Sequence, residues 1–182
     1  MKNNSIKTVV AVGIGAALFF VLGRFVAIPS PVPNTNISLQ YAVLALLAAM
    51  YGPVAGGLIG FIGHALIDLS WGGSPWWSWV ITSAFVGVVI GLFAKKLNVQ
   101  EGVFDKTKTA IFAIANVAAH LIGWVVVAPV LDILIYAEPV KKVFAQGVFA
   151  AISNTITGVI VGGLLIVAYT KTIAKKGSLD RE

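Results

Sequence analysis

Six apolar runs follow one another with almost no polar sequence between them, and this succession constrains the chain more than anything else in it. Of the 182 residues, 58% are hydrophobic and 11% are charged, whereas a soluble domain carries roughly 25% charge. The mean hydropathy is +0.94. So little charge cannot cover a water-facing surface, which excludes a soluble globular domain and a disordered tail. The net charge of +6 does not indicate a nucleic-acid interface either, because the basic residues lie between apolar runs and not on one helix face. The chain reads as an all-α integral membrane protein whose first partner is the lipid bilayer.

A spanning helix needs roughly 20 residues at about 1.5 Å each. The runs cover residues 8–28, 38–51, 54–69, 79–97, 109–131 and 143–169. The second and third are short, and Tyr51-Gly52-Pro53 between them predicts a tight hairpin whose helices could be partly re-entrant. The first run is too long for a signal-peptide core and is followed by further spans, so it is expected to stay. Six spans put both termini on one side. With the termini inside, ten of the thirteen basic residues fall on the inner side (Lys2, Lys7, Lys95, Lys96, Lys106, Lys108, Lys171, Lys175, Lys176, Arg181). Arg24, Lys141 and Lys142 remain outside. That asymmetry predicts an N-in, C-in, compact six-helix bundle forming a single domain over residues 1–182.

The chemistry available is narrow. There is no cysteine, so thiolate metal sites and Cys nucleophiles are absent. No Gly-x-x-x-x-Gly-Lys-Ser/Thr phosphate loop occurs, so uphill transport must draw on an ion gradient or on another polypeptide. Small residues recur at helix spacing: Ala11/Gly15 and Gly13/Ala17 in the first run, Gly56/Gly60 in the third, Ser83/Gly87/Gly91 in the fourth, Gly158/Gly162 in the sixth. Such spacing permits close backbone packing in lipid. The smooth patch of Ala11, Gly13, Gly15 and Ala17 is a candidate docking surface for a partner subunit.

Polar side chains at membrane depth are costly and mark cavities or interhelical bonds. His64 and Asp68 stand one turn apart on the third helix, and Asn116, His120 and Trp124 follow one face of the fifth. Asn154 lies mid-depth on the sixth, with Thr157 nearby and Gln146 towards the outer end. The outer loops add Asn34 and Asn36, then Trp71, Trp76, Trp77 and Trp79. Some of these rings can be an interfacial belt, and Arg24 can simply snorkel outward. Together they predict an outward pocket in which a flat heteroaromatic ligand stacks on Trp76 or Trp79. His120, Asn116 or Asn154 would supply its hydrogen bonds.

The stretches Asn34-Thr35-Asn36-Ile37, Gly63-His64-Ala65-Leu66-Ile67-Asp68 and Gly73-Ser74-Pro75-Trp76-Trp77-Ser78-Trp79 resemble the substrate-binding S components of energy-coupling factor (ECF) vitamin transporters. The likeness extends over essentially the whole chain, and is strongest to a subgroup assigned to hydroxymethylpyrimidine or to riboflavin. It implies a subunit without catalysis or cofactor that binds a small-molecule vitamin from outside. A transmembrane coupling subunit and two cytoplasmic ATPase subunits would then energise delivery. The family's Ala-x-x-x-Ala docking signature appears here as Ala11-x-x-x-Gly15 beside Gly13-x-x-x-Ala17. Two other readings compete: a self-sufficient gradient-driven carrier with Asp68 as its proton site, and an intramembrane enzyme built on His64, Asp68 and His120, with or without zinc.

Overall fold

The computed structural model describes residues 2–179, with side chains over 5–173. Of the basic residues counted above, Arg181 lies outside the described residues, as do the side chains of Lys2, Lys175 and Lys176. Six helical segments form the bundle: α1 (Lys2–Phe25), α2 (Gln40–Tyr51), α3 (Pro53–Leu69), α4 (Trp77–Gly91) running into short α5 (Ala94–Leu97), and two long composite rods. The first rod joins α6 (Lys106–Ile122) to α7 (Ala128–Tyr136) through a π-helical turn, Gly123–Val127. The second joins α8 (Val140–Ile156) to α9 (Gly162–Leu179) through another, Thr157–Val161. Four segments are long and apolar enough to cross a membrane: Ser5–Phe25, Trp77–Leu97, Lys106–Tyr136 and Val140–Ile173.

The local chemistry explains the boundaries. Gly52 takes φ 88°, a left-handed conformation that costs glycine little, and Pro53 then occupies the first turn of α3, where its missing N–H is not needed. At 12 and 17 residues, α2 and α3 form the expected hairpin of short helices. The Asp105 carboxylate accepts the Lys108 N–H (2.8 Å) and caps α6. Most helices extend beyond the expected ends, and three of these ends meet at one end of the bundle. α4 starts at Trp77 because its first-turn amides need no helical partner, and Trp77 N–H finds the Tyr136 hydroxyl (2.9 Å). The last two rods extend to Tyr136 and start at Val140, closing tightly around Ala137 at φ 52°.

Alanine-rich α2 is the axis: Ala42, Ala45, Ala48 and Ala49 are buried, with Leu44 beside them. Thin side chains let α1, α3, α4 and α9 close around it. α3 and α4 approach to backbone contact, since a Cβ on Gly56 or Gly60 would strike the carbonyl of Gly87 or Ser83. The outward faces are apolar, as lipid requires, with Val9 at 70% and Leu134 at 75% exposure. Between α1 and α2 the chain folds into a small antiparallel ribbon, Ile28 opposite Ile37 and Pro29 opposite Asn36.

Candidate functional site

The connections 26–39, 70–76 and 137–139 gather at one end of the bundle, over a cavity of about 530 Å³. The opposite end holds the 92–105 connection, where Gly102 packs on Ile173. Eight of the ten expected binding residues line the cavity: Asn34, Asn36, His64, Asp68, Trp76, Trp79, Trp124 and Asn154. The volume falls within the range typical of small-molecule sites.

One carboxylate organises the aromatic wall. Asp132, on α7 and only 2% exposed, accepts the indole N–H of Trp76 at one oxygen (2.7 Å) and that of Trp79 at the other (3.0 Å). The Ser78 hydroxyl also donates to it. Trp76 is stacked on Tyr136 with ring centroids 3.9 Å apart, and Trp79 meets Trp124 edge-to-face at 5.3 Å. Tyr41 continues the ring series against Trp124 and His120. Both tryptophans are therefore held by hydrogen bonds to a buried charged group, which are among the stronger kind.

A second polar chain crosses from α3 to α2. His64 Nε2 lies 3.8 Å from Asp68, its Nδ1 is 2.6 Å from Ser83 Oγ, and Ser83 Oγ is 2.7 Å from the Tyr41 hydroxyl. The other Asp68 oxygen accepts the Trp76 backbone N–H at 2.8 Å, pinning the α3–α4 loop. Around the mouth, Gln146 donates to the Pro33 carbonyl (2.9 Å) and holds the ribbon against α8. Lys142 pairs with Glu138 at 2.7 Å. Arg24 lies over the Trp71 ring at 3.7 Å and donates to Ser70 Oγ at 2.9 Å, so it clasps α1 to the α3–α4 loop.

Asn116 and His120 are not in the cavity wall. Both are 0% exposed and sit beneath it, packed where α6 meets Gly158. Asn116 Nδ2 donates to the Phe112 carbonyl (2.9 Å), while Asn116 Oδ1, both His120 nitrogens and Trp124 Nε1 make no hydrogen bond with the protein. The expected face of Asn116, His120 and Trp124 exists, yet only its upper member reaches the cavity. The reason is depth: Trp124 lies within the π-turn above the other two, and such turns are common at functional sites. His120 is likewise separated from His64 and Asp68. Among the described residues no three His, Asp or Glu side chains form a metal-binding group.

The docking patch on α1 divides into two faces, which corrects the expectation of one. Ala11 and Gly15 are buried in the bundle, and a Cβ on Gly15 would meet Leu47 Cδ1 at 2.6 Å and Ile59 Cδ1 at 2.7 Å. Gly13 and Ala17 face outward, and a Cβ on Gly13 would point into open space. Helical geometry requires this, because residues two apart point about 200° apart.

Several lining residues escape sequence reading as ligand contacts: Thr35, Ser38, Gln40, Tyr41, Asp132 and Gln146 among them. Gln146 reads in the sequence as an outer polar group. Nothing local distinguishes Gln40 or Tyr41 from other polar residues at a helix start.

Residues 3–171 match the family described as "ECF-type riboflavin transporter, S component". Full-length relatives include a UPF0397 protein from Exiguobacterium sp., 53% identical over 182 residues and covering 100% of both chains. Another, from Streptococcus agalactiae, is 54% identical over 182 residues, again with 100% coverage of each. A solved S-component for biotin from an ECF-type ABC transporter shares the fold, with TM-score 0.62 at 20% identity over 90% of this chain and 93% of that one. The chain thus belongs to the family of ECF-type riboflavin transporter S components, multi-pass membrane proteins that serve transport and not catalysis.

Proposed function

We propose that this chain is the membrane-embedded substrate-binding subunit of an ATP-driven ECF vitamin importer, and that a flat heteroaromatic vitamin or precursor enters the cavity from outside. The observation that carries this reading is the aromatic wall fixed by Asp132, set beside the polar groups of Asp68, Asn154 and Gln146. Such a cavity binds by burying ring area and orients its ligand with a few placed polar groups. Hydroxymethylpyrimidine is the preferred ligand, because its exocyclic amine suits the cavity's acceptors. Riboflavin stands second, favoured by the description of the matching family.

The basic-residue asymmetry supports an orientation with both termini inside and the cavity outside. With no phosphate loop of its own, the chain would depend on a transmembrane coupling subunit and two cytoplasmic ATPases. Gly13 and Ala17, the outward small residues of α1, are the preferred contact for the coupling subunit. The deciding experiment is native mass spectrometry of the purified full-length protein, followed by tryptophan-fluorescence titration with hydroxymethylpyrimidine and riboflavin. A co-purified aromatic compound and saturable quenching are expected. No bound compound and no response to either ligand would refute the reading.

A further inference from the structure

The charges around the cavity do not balance. Three carboxylates line it (Asp68, Asp132 and Glu138) against a single ammonium, Lys142. Lys142 is taken by Glu138 at 2.7 Å. The nearby guanidinium of Arg24 is engaged elsewhere, over Trp71 and on Ser70. Among the described residues, no lysine or arginine lies within ion-pair distance of Asp68 or Asp132. Two carboxylates therefore face an aromatic enclosure with little competing positive charge, in surroundings where charge is weakly screened.

The rings reinforce this field. Trp76 and Trp79 both direct their indole N–H to Asp132, and hydrogen bonds to a charged acceptor polarise the donor. Electron density in both ring systems rises, which strengthens attraction for a cation over their faces. Asp68 uses one oxygen for the Trp76 backbone amide. Its other oxygen has His64 Nε2 at 3.8 Å, beyond hydrogen-bond distance. Trp124, 1% exposed and lining the same cavity, carries an indole N–H with no partner in the protein. It can serve an acceptor on the same ligand.

We propose that the cavity takes its ligand as a cation: a flat, positively charged heteroaromatic ring lying against the indoles of Trp76 and Trp79, with edge N–H groups on the Asp68 oxygen that Trp76 leaves unused. This rests on the reading of the cavity as the ligand site, and narrows its chemistry. A protonated aminopyrimidine fits, since its positive charge is shared with an exocyclic amine whose N–H can donate to the one free carboxylate oxygen. A neutral flavin does not use the charge.

The test compares four probes on full-length wild-type protein in detergent, by tryptophan quenching and calorimetry. They are hydroxymethylpyrimidine, its permanently cationic pyrimidinium methylated at the ring nitrogen para to the amine so that the amine N–H groups stay free, the carbocycle with both ring nitrogens replaced by C–H, and riboflavin. The permanent cation should bind at least about tenfold tighter than the carbocycle, as cation–π attraction in a desolvated site provides. Asp68→Asn should shrink that ratio, weakening the permanent cation more than the carbocycle. Equal or tighter binding of the carbocycle or of riboflavin overturns the cation proposal and leaves the site reading standing. Equal weakening of all probes by Asp68→Asn overturns the role given to Asp68. No quenching by any probe overturns the site reading itself, and the cation proposal with it.

Discussion

Two polar layers lie one above the other in this bundle, and they are finished differently. In the upper layer Asp132 joins two indoles and a hydroxyl, and the His64–Ser83–Tyr41 chain links three helices. In the lower layer Asn116 Oδ1 and both nitrogens of His120 find no partner in the protein, nor does Trp124 Nε1 between the layers. Buried polar atoms are nearly always hydrogen-bonded, so a group of unpartnered ones calls for a functional account. The contrast suggests a division of labour. The upper layer is a frame satisfied within the protein and forms the cavity wall, and we expect the lower layer to reach a ligand only through waters beneath that wall.

The frame should fail most severely where helices touch through backbone. A leucine at Gly60 would drive its Cβ into the Ser83 carbonyl and displace the hydroxyl that holds both His64 and Tyr41. Gly60→Leu should cost about 3 kcal/mol or more, as overpacking against an unyielding neighbour does. The expected outcome is aggregated protein on size exclusion and a much lower thermal midpoint. A monodisperse, normally stable variant would show that α3 and α4 are not in register through these residues.

Next in size is the loss of the hub. Asp132→Ala strands three donors, each costing about 1–3 kcal/mol if it stays buried and unpaired. Affinity for any stacking ligand should fall on the order of a hundredfold, and near-ultraviolet circular dichroism of the tryptophans should flatten. Asp132→Asn keeps the size and an acceptor, so it should recover part of both signals. The lower layer should respond in the opposite sense. His120→Leu removes no hydrogen bond made by the protein, so the thermal midpoint should move by less than the equivalent of about 1 kcal/mol. Ligand affinity should nonetheless drop, roughly tenfold. If stability falls and affinity does not, His120 belongs to the frame and the two layers do not differ.

The architecture was more legible in the chain than the site, for a physical reason. Membrane spans announce themselves by composition, and Gly52-Pro53 marks a hairpin through local backbone chemistry alone. Ring-and-amide clusters such as Trp76–Trp79 with Asn154 also stand out, because such groups are rare at membrane depth. Depth within the bundle is another matter. It depends on how helices stagger, so His120 and Asn116 looked like ligand contacts when they lie a layer beneath. The role of Asp132 was hidden for the same reason, since its donors are more than 50 residues away in the chain. The two π-turns, which re-aim Trp124 and the segment after Asn154, leave no mark in hydrophobic periodicity.

The smallest effect on the isolated protein belongs to the outward face of α1, in contrast with the buried face of the same helix. Gly15 packs against Leu47 and Ile59, so Gly15→Trp should destabilise the bundle much as Gly60→Leu does. Gly13 and Ala17 face away from the core, and no heavy atom approaches a Cβ built on Gly13. Gly13→Trp and Ala17→Trp should therefore leave the thermal midpoint and ligand affinity within error of wild type. In lipid a smooth helix face gains little by itself, since acyl chains pack against any apolar surface, but it permits a second helix to approach closely. If the coupling subunit docks there, an indole at either position should abolish both co-purification with that subunit and ATP-driven uptake. Uptake that survives both substitutions would place docking on another face. Uptake that stops when the proton gradient is collapsed, with cellular ATP maintained, would show that the chain is driven by the gradient.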